Sequence, residues 1–299
     1  ADAIGPFRGR RPAQFSLKHA PGDVNLRHHL EEHSIVFAMS DSMPPIKAVV
    51  FDLDGTILDT ESLCVSVARQ VVKRYGKTLT AQAIKEASGK RPLDAWRDVV
   101  KVLEIDVDPQ VLLDESEPML SVQWEHASLL PGAMRLLQHL ADANVTLAVA
   151  TSTPRATFDA KMRSKPQLRK LLGNVVCGDE VPQGKPAPDI FLAAAAAVGV
   201  APENCLVIED APSGVQGASA AGMRVVVVPS IVDATMYPQA DENNKSGVVA
   251  ILPSLMAFRP ESFALPPCAD TIVGVIPMDS PICIRGTVVQ GFGRGSRVS

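Results

Sequence analysis

Aromatic side chains are scarce in this sequence of 299 residues, where Phe, Trp and Tyr together make up 4%. Proteins that bind single-stranded nucleic acid stack its bases on aromatic rings, and nucleic-acid-binding domains generally carry a basic patch. This chain has two Trp and two Tyr, and its formal net charge is −4. We therefore predict that nucleic acid is not among its partners.

Long apolar runs are also missing, because no stretch reaches the ~18 residues of a membrane-spanning helix. The sequence therefore predicts no membrane partner. A hydrophobic content of 46% still suffices for a sizeable core. The length suits one large or two modest domains.

The five cysteines are scattered and form no C-x-x-C pair, which argues against a zinc site. Free buried thiols are typical of a reducing compartment, so we expect a cytoplasmic location. Residues 1–43 lack periodic pattern and are expected to be a disordered leader. Arg8 and Arg10 raise organellar targeting as an alternative, but acidic residues such as Glu31 and Glu32 are unusual in a transit peptide.

Two carboxylates follow an apolar run near the start of the patterned region. The run, Ala48 to Phe51, is rich in β-branched residues and predicts a buried parallel strand, after which come Asp52, Asp54 and Gly55. Alternate residues of a strand share one side, and ligands of open α/β sheets bind at this carboxyl end. Two adjacent acids repel each other unless a cation or a shared proton holds them. The pattern favours a divalent-metal or nucleophile site, although an Asx-rich turn has a similar composition.

Helical and strand patterns alternate from Pro131 onward. Strands are predicted at Val145–Ala150, Asn174–Cys177, Cys205–Ile208 and Arg224–Val228, with a further short one at Val248–Leu252. Helices are predicted at Gly132–Asn144, Arg155–Leu172 with Pro166 as a candidate interruption, Asp189–Val198 and Ser213–Ala221. This alternation predicts the α/β class, with a doubly wound parallel sheet as a Rossmann-like core.

Only helical patterns occupy the region after the first strand. They cover Glu61–Tyr75, Thr80–Ala87, Pro92–Leu103 and Pro109–His126. A helical block inserted at this point predicts a cap domain over the edge of the sheet. We therefore divide the chain into a leader at 1–43, a Rossmann-like core at 44–59 and 130–260, a helical cap at 60–129, and a Gly-, Pro- and Arg-rich end at 261–299.

Polar groups stand at the carboxyl ends of three predicted strands and in one loop. They are Asp52 with Asp54, Thr151 with Ser152, Glu209 with Asp210, and Lys185 in the loop. Each alone has an ordinary explanation as a helix cap or a solvated side chain. Because parallel strands end at one edge of a sheet, the set predicts a single converging site.

The acidic members of this set suit a hard cation. Oxygen ligands from Asp52, Asp210 and the carbonyl of Asp54, with Glu209 beside them, are the kind that Mg²⁺ prefers. We therefore predict Mg²⁺ as the cofactor.

The remaining roles suit phosphoryl transfer. Asp52 can act as the nucleophile, and Lys185, Thr151 and Ser152 can neutralise the phosphoryl oxygens. Asp54 can protonate the leaving oxygen and later deprotonate a water molecule. One residue is present for each role.

The motifs also resemble a known family. Asp52-Leu53-Asp54-Gly55-Thr56, Thr151, Lys185 and Glu209-Asp210 are similar, in order, to the four motifs of the haloacid dehalogenase-like phosphohydrolase superfamily. The resemblance covers roughly residues 46–230. It implies a Mg²⁺-dependent phosphomonoester hydrolase that works through an aspartyl-phosphate.

The helical block resembles the cap of the β-phosphoglucomutase-like branch, in which the cap selects the substrate. Lys90 and Arg91 stand where that branch has a substrate-contacting loop, so the resemblance implies that they bind substrate. Two solvated basic residues between helices are the alternative.

The end of the chain carries a second resemblance. Residues 281–297 are similar to the first strand and glycine-rich loop of riboflavin kinase, and the stretch from Ile46 to Arg297 resembles the bifunctional FMN hydrolase/riboflavin kinases of plants and algae. Some thirty residues cannot build a kinase domain. We interpret 261–299 as a linker and a truncated kinase start, and expect no riboflavin kinase activity; transfer of phosphate from ATP to riboflavin would contradict this.

These resemblances imply a small-molecule phosphate ester as substrate. The end of the chain favours FMN, hydrolysed to riboflavin and phosphate. The alternative is a sugar-phosphate phosphatase or a β-phosphoglucomutase-like phosphomutase, because the sequence does not show whether water or a sugar takes the phosphoryl group. A catalytically inactive flavin-binding or regulatory protein is a third reading, against which intact Asp52 and Lys185 argue.

Overall fold

The computed structural model describes residues 44–238 and 246–268, together with the backbone of short strands at 35–36, 282–284 and 287–289. Most of the predicted leader, and most of the region with kinase resemblance, lie outside the described residues. In the part that is described, no helix is long and apolar enough to cross a bilayer.

The main sheet of the described chain has seven strands. They are β1 (Ile35–Val36), β2 (Ala48–Phe51), β3 (Thr146–Thr151), β4 (Asn174–Cys177), β5 (Cys205–Glu209), β6 (Arg224–Val227) and β7 (Val248–Ile251). Their spatial order is β1-β7-β6-β5-β2-β3-β4, with β1 antiparallel and the other six parallel. The predicted doubly wound parallel sheet is confirmed. The chain leaves β2 in one direction and returns to its other side, which makes β2 the switch point where such sheets bind ligands.

Two further strands form a separate antiparallel pair. β8 (Ile282–Ile284) and β9 (Thr287–Val289) pair with Ile282 opposite Val289 and Ile284 opposite Thr287. They fall within the stretch that resembles the start of riboflavin kinase, and the rest of that stretch is outside the described residues.

Nine α-helices are described. They are α1 (Glu61–Arg74), α2 (Ala81–Ala87), α3 (Pro92–Leu103), α4 (Pro109–Ser121), α5 (Ala133–Asp142), α6 (Arg155–Met162), α7 (Pro166–Leu172), α8 (Asp189–Ala197) and α9 (Pro212–Ala220). Helices α5 to α7 contribute to the apolar cluster on one face of the sheet, and α8 and α9 to the cluster on the other.

Strand β2 lies in the interior of the sheet and contributes side chains to the apolar clusters on both faces. Val49 and Phe51 pack on one face, whereas Ala48 and Val50 pack on the other, and all four are 0% exposed. A strand covered on both faces needs a continuous apolar run, which is why this pattern is readable in the sequence.

Helices α1 to α4 have an apolar cluster of their own. Val71, Trp96 and Leu112 are buried in it, apart from both sheet clusters. The Trp96 Nε1 donates to Ser116 Oγ at 3.1 Å, which satisfies the polar atom of a buried ring. This helical insert supports the cap interpretation, while the domain boundaries stay a prediction.

One predicted helix is shorter in the structure, and the interruption considered for another is present. Apolar spacing extended the helix from Pro109 as far as His126, but α4 ends at Ser121 and a 3₁₀ turn at Trp124–His126 buries the tryptophan instead. The helix predicted at Arg155–Leu172 is two helices, because Pro166 has no N–H to continue the first and suits the opening turn of the second.

Candidate functional site

The carboxyl ends of three neighbouring strands meet at one edge of the sheet. β2 pairs with β3 on one side and with β5 on the other, both in parallel. Asp52 directly follows β2, Thr151 ends β3, and Glu209 ends β5 with Asp210 next. The structure thus brings together the residues that the sequence predicts to converge.

Lys185 lies between two of these carboxylates, just before α8. Its Nζ donates to Asp52 Oδ1 at 2.5 Å and to Glu209 Oε1 at 2.7 Å, and its side chain is 0% exposed. Burial alone would lower the pKa of Lys185, but the charges of Asp52 and Glu209 raise it above its ordinary value. The ammonium group therefore stays protonated and supplies positive charge beside Asp52.

Two buried carboxylate oxygens at this edge, Asp52 Oδ2 and Asp210 Oδ1, have no hydrogen-bond partner among the described residues. Asp52, Glu209 and Asp210 each offer an oxygen within 4.8 Å of the others. Burial, reinforced by neighbouring carboxylates, raises the pKa of Asp52 and Asp210 well above the usual range. Unpartnered hard oxygens fit Mg²⁺. Both Glu209 oxygens are already used, by Lys185 and by the backbone N–H of Ala211.

A glycine turn allows the backbone after β2 to approach this acidic group. Gly55 has a φ of +87°, which is unfavourable for other L-residues. A Cβ at Gly55 would overlap the carboxylate of Asp210. The turn therefore needs glycine for both its conformation and its space.

Four donors converge on the second carboxylate, Asp54. Its Oδ1 accepts from Thr60 Oγ1 at 2.7 Å and Lys161 Nζ at 2.6 Å, and its Oδ2 accepts from Thr151 Oγ1 at 3.2 Å and Thr153 Oγ1 at 2.6 Å. Burial alone would raise the pKa of Asp54, but Lys161 and the hydroxyl hydrogen bonds outweigh it and hold the pKa below its usual value. The described geometry therefore favours the ionised form of Asp54.

Sequence reasoning missed Lys161, Thr60 and Thr153. A signal for Lys161 was present in the sequence, because it stands three residues after Phe158 and one before Met162, on the buried face of α6. A lysine at an apolar helix position needs a buried partner if its ammonium group does not reach solvent. That partner is Asp54, 107 residues away in the chain.

The predicted substrate-contacting residues outside the sheet edge have partners within the protein. Lys90 Nζ pairs with Asp98 Oδ2 at 2.6 Å, and Arg91 donates to the carbonyl oxygens of Val181 and Pro182 at 2.6 and 3.2 Å. Lys90 still lines the cavity described below, whereas Arg91 does not. Arg91 therefore connects the insert to the sheet domain.

Ser152, at the end of β3, also contacts the insert. Its Oγ donates to the carbonyl oxygen of Gly89 at 2.7 Å, and Ser213 Oγ donates to that of Ser88 at the same distance. The loop before Lys90 is thus held against the sheet edge by two hydroxyls.

A cavity of about 360 Å³ opens from the sheet edge into the helical insert. At one end it is lined by acidic and basic groups, Asp52, Asp54, Lys161 and Glu61 among them. Burial and the charge of Asp54 raise the pKa of Glu61 to about 7. The walls within the insert are mainly apolar and include Val65, Ala68, Leu79, Trp96, Val99 and Leu120. The cavity can therefore place a charged group beside Asp52 and an apolar group among the helices.

Comparison with known proteins supports a hydrolytic site. Residues 46–222 match the family model described as haloacid dehalogenase-like hydrolase. A bifunctional riboflavin kinase/FMN phosphatase of Arabidopsis thaliana is 36% identical over 263 residues, covering 87% of this chain and 67% of that protein. The (DL)-glycerol-3-phosphatase 2 of the same plant is 37% identical over 233 residues, covering 76% of this chain and 94% of that protein.

A solved structure of similar fold contains a phosphate ion. The crystal structure of a HAD family hydrolase from Deinococcus radiodurans, with bound phosphate and sodium, is 26% identical and has a TM-score of 0.57. The match covers 75% of this chain and 99% of that chain. The family resemblance read from the motifs is confirmed by these comparisons.

Proposed function

The chain belongs to the haloacid dehalogenase-like hydrolase family and is a phosphatase, and from this premise we propose that it hydrolyses FMN to riboflavin and phosphate. The lining of the cavity is the observation that supports FMN as the substrate. Its volume of about 360 Å³ is within the range of small-molecule sites. A flat flavin ring would bury apolar surface against walls such as Trp96 and Val99, whereas a sugar has less apolar surface to bury there.

We assign the chemical steps to the residues at the sheet edge. A carboxylate oxygen of Asp52 attacks phosphorus, the bond from phosphorus to the ester oxygen breaks, and Asp54 gives that oxygen a proton. A water molecule then attacks phosphorus and gives a proton to Asp54, the bond from phosphorus to the Asp52 oxygen breaks, and phosphate and the free Asp52 carboxylate result. Lys185 supplies positive charge for the phosphoryl oxygens, and Thr151 and Ser152 lie at the same edge.

The unpartnered oxygens fit a divalent cation. Asp52 and Asp210 would hold Mg²⁺ together with the carbonyl oxygen of Asp54. Glu209 lies close enough to be a further candidate ligand, and it also accepts a hydrogen bond from Lys185. When bound, Mg²⁺ supplies positive charge that offsets the charge of the phosphoryl group.

A second substrate class has a specific observation in its favour. The glycerol-3-phosphatase relative is as similar in sequence as the FMN phosphatase relative, at 37% against 36% identity. A small polyol phosphate or sugar phosphate, hydrolysed or isomerised by a phosphomutase reaction, is therefore the alternative. It predicts little benefit from the apolar part of the cavity.

A substrate panel separates these proposals. The protein is incubated with Mg²⁺ and FMN, glycerol 3-phosphate, hexose phosphates or p-nitrophenyl phosphate, and released phosphate is measured. We expect kcat/KM for FMN to exceed that of the polyol and sugar phosphates at least about tenfold. The isosteric Asp52→Asn change is expected to lower kcat by about 1000-fold or more. Higher kcat/KM for a sugar phosphate, or interconversion of sugar phosphates, would overturn the FMN assignment, and unchanged turnover by Asp52→Asn would overturn the nucleophile.

A change in the apolar wall tests the position of the flavin. Ala68 lines the cavity from α1, so Ala68→Leu narrows the space among the helices. We expect kcat/KM for FMN to fall about tenfold while that for p-nitrophenyl phosphate changes little. The control is Ala196→Leu, the same change at an exposed position of α8. Equal losses for both substrates would place the flavin outside the insert.

A further inference from the structure

Lys161 is a buried lysine that the steps above do not use. Its side chain is 4% exposed and lies at the end of α6. Its Nζ donates to Asp54 Oδ1 at 2.6 Å and to Thr153 Oγ1 at 2.8 Å. The same atom lies 4.5 Å from the centroid of the Trp124 ring, within the range of a cation–π contact. Burial of an ammonium group is costly without such partners, so the three contacts together fix its position.

The contacts of Asp54 reach both connections between the helical insert and the sheet domain. Thr60 stands immediately before α1, in the first connection, and its hydroxyl donates directly to Asp54. Trp124 lies in the 3₁₀ turn that follows α4, in the second connection. Lys161 links it to Asp54, because the ammonium group contacts both the ring and the carboxylate.

We propose that Lys161 is a positioning residue that couples the second connection of the helical insert to the orientation of Asp54. The coupling rests on the proposed function, in which Asp54 moves the proton of the reaction. A carboxylate that serves first as acid and then as base must be placed within hydrogen-bond reach of the ester oxygen. The Trp124 ring contacts the Lys161 ammonium group, which contacts the Asp54 carboxylate. A displacement of the second connection would therefore be transmitted to Asp54.

The test compares Lys161→Met with Lys161→Arg, using p-nitrophenyl phosphate and Mg²⁺. Lys161→Met keeps the length and bulk of the side chain but loses the ammonium group. We expect kcat to fall about 100-fold, as for a reacting group displaced by about 1 Å, with KM changed less than threefold. Lys161→Arg keeps the charge and the cation–π contact, and is expected to recover at least about tenfold of that loss.

A matched control separates positioning from mere support of the connection. Lys165 donates to the carbonyl oxygen of Glu125, beside Trp124, and its other hydrogen bonds go to Lys161 and Ser164. Lys165→Met is therefore expected to leave kcat within about threefold. If Lys165→Met and Lys161→Met lower kcat equally, or if Lys161→Met loses less than threefold, the proposal is wrong.

A substitution of Trp124 tests the same coupling independently if Lys161→Met does not fold. Trp124→Leu leaves the Lys161 charge and its bond to Asp54 in place but removes the ring contact. We expect kcat to fall about tenfold with little change in KM, and unchanged kcat would refute the coupling. Asp52→Asn is assayed alongside. If Asp52→Asn is inactive while the Lys161 and Trp124 variants keep full turnover, only the coupling fails; if Asp52→Asn keeps its activity, the proposed chemistry itself fails.

Discussion

Replacement of Lys185 by methionine removes the only cation that the structure places between Asp52 and Glu209. The side chains of Lys185 and Glu209 are 0% exposed and that of Asp52 is 6% exposed. Methionine fills a similar volume, so the cavity contribution to the free energy of unfolding is small. The change therefore leaves two buried carboxylates without their counter-charge.

The magnitude follows from this loss of pairing. Removing one partner of a buried ion pair costs about 3–5 kcal/mol of unfolding free energy, because the other charge stays buried and unpaired. For a folded unit of this size, each kcal/mol corresponds to about 2–4 °C in the unfolding midpoint. We therefore expect Lys185→Met to lower the midpoint by roughly 10 °C in buffer without divalent cations.

The loss should depend on pH in a defined direction. Burial raises the pKa of Asp52 and Lys185 opposes that effect, so removal of Lys185 raises the pKa of Asp52 further. The folded variant then holds a proton that the unfolded chain releases near its ordinary carboxyl pKa. Its stability falls as pH rises through the raised folded pKa, since the folded state binds more protons than the unfolded state. The deficit relative to the unmodified protein should be larger at pH 8 than at pH 5.

Chemical and thermal denaturation at the two pH values provide the assay. Lys47→Met is the matched control, because Lys47 is exposed beside the same strand, and it should change stability by no more than about 0.5 kcal/mol. Adding Glu209→Gln to Lys185→Met should recover part of the loss, because one of the two unpaired charges is then absent. A deficit no larger than that of Lys47→Met, or one that is equal at both pH values, would refute the reasoning.

Three further predictions concern residues around the same site. Burial and the charge of Asp54 raise the pKa of Glu61 from 4.5 to about 7 in the folded protein. Because the folded state therefore binds more protons than the unfolded state between these pH values, the free energy of unfolding without metal should fall as pH rises through this range. Glu61→Gln should reduce that fall, as measured by denaturation curves. Gly214→Ala would place a Cβ within the carboxylate of Glu209, so unfolding should cost about 2 kcal/mol less despite the better helix propensity of alanine. Thr60→Val should lower kcat several-fold whereas Thr60→Ser should not, since only serine keeps the hydroxyl that donates to Asp54.

The sheet edge could be predicted from the sequence because its chemistry is local. A continuous apolar run fixes a central parallel strand, and the residues just after such strands must meet at one edge. That rule alone placed Asp52, Thr151 and Asp210 together, and the structure agrees. Lys185 ends no strand, so that rule alone does not place it, although its loop leads directly into a predicted helix.

The contacts of charged side chains could not be predicted in the same way. Lys90 pairs with Asp98 nearly two helix turns into α3, and Arg91 donates to carbonyl oxygens about ninety residues away. Such pairs depend on how the insert packs on the sheet domain, which periodicity does not encode. Lys161 was overlooked for a different reason, because a single lysine on an apolar helix face also fits a side chain whose end reaches solvent.

The surroundings of Asp54 set a condition on the whole reaction. In the proposed reaction, the residue must carry a proton to serve the leaving group and must lose one to activate water. Lys161, Thr153 and Thr60 hold the pKa of Asp54 below its usual value, so the described arrangement suits the base proposed for the second step. Loss of a donor such as Lys161 would remove one of the contacts that lower the pKa of Asp54 and would favour its protonated form. Thr60 and Lys161 are the donors tied to the two connections of the insert, so under the proposed function we expect displacement of the insert to favour the acid needed in the first step.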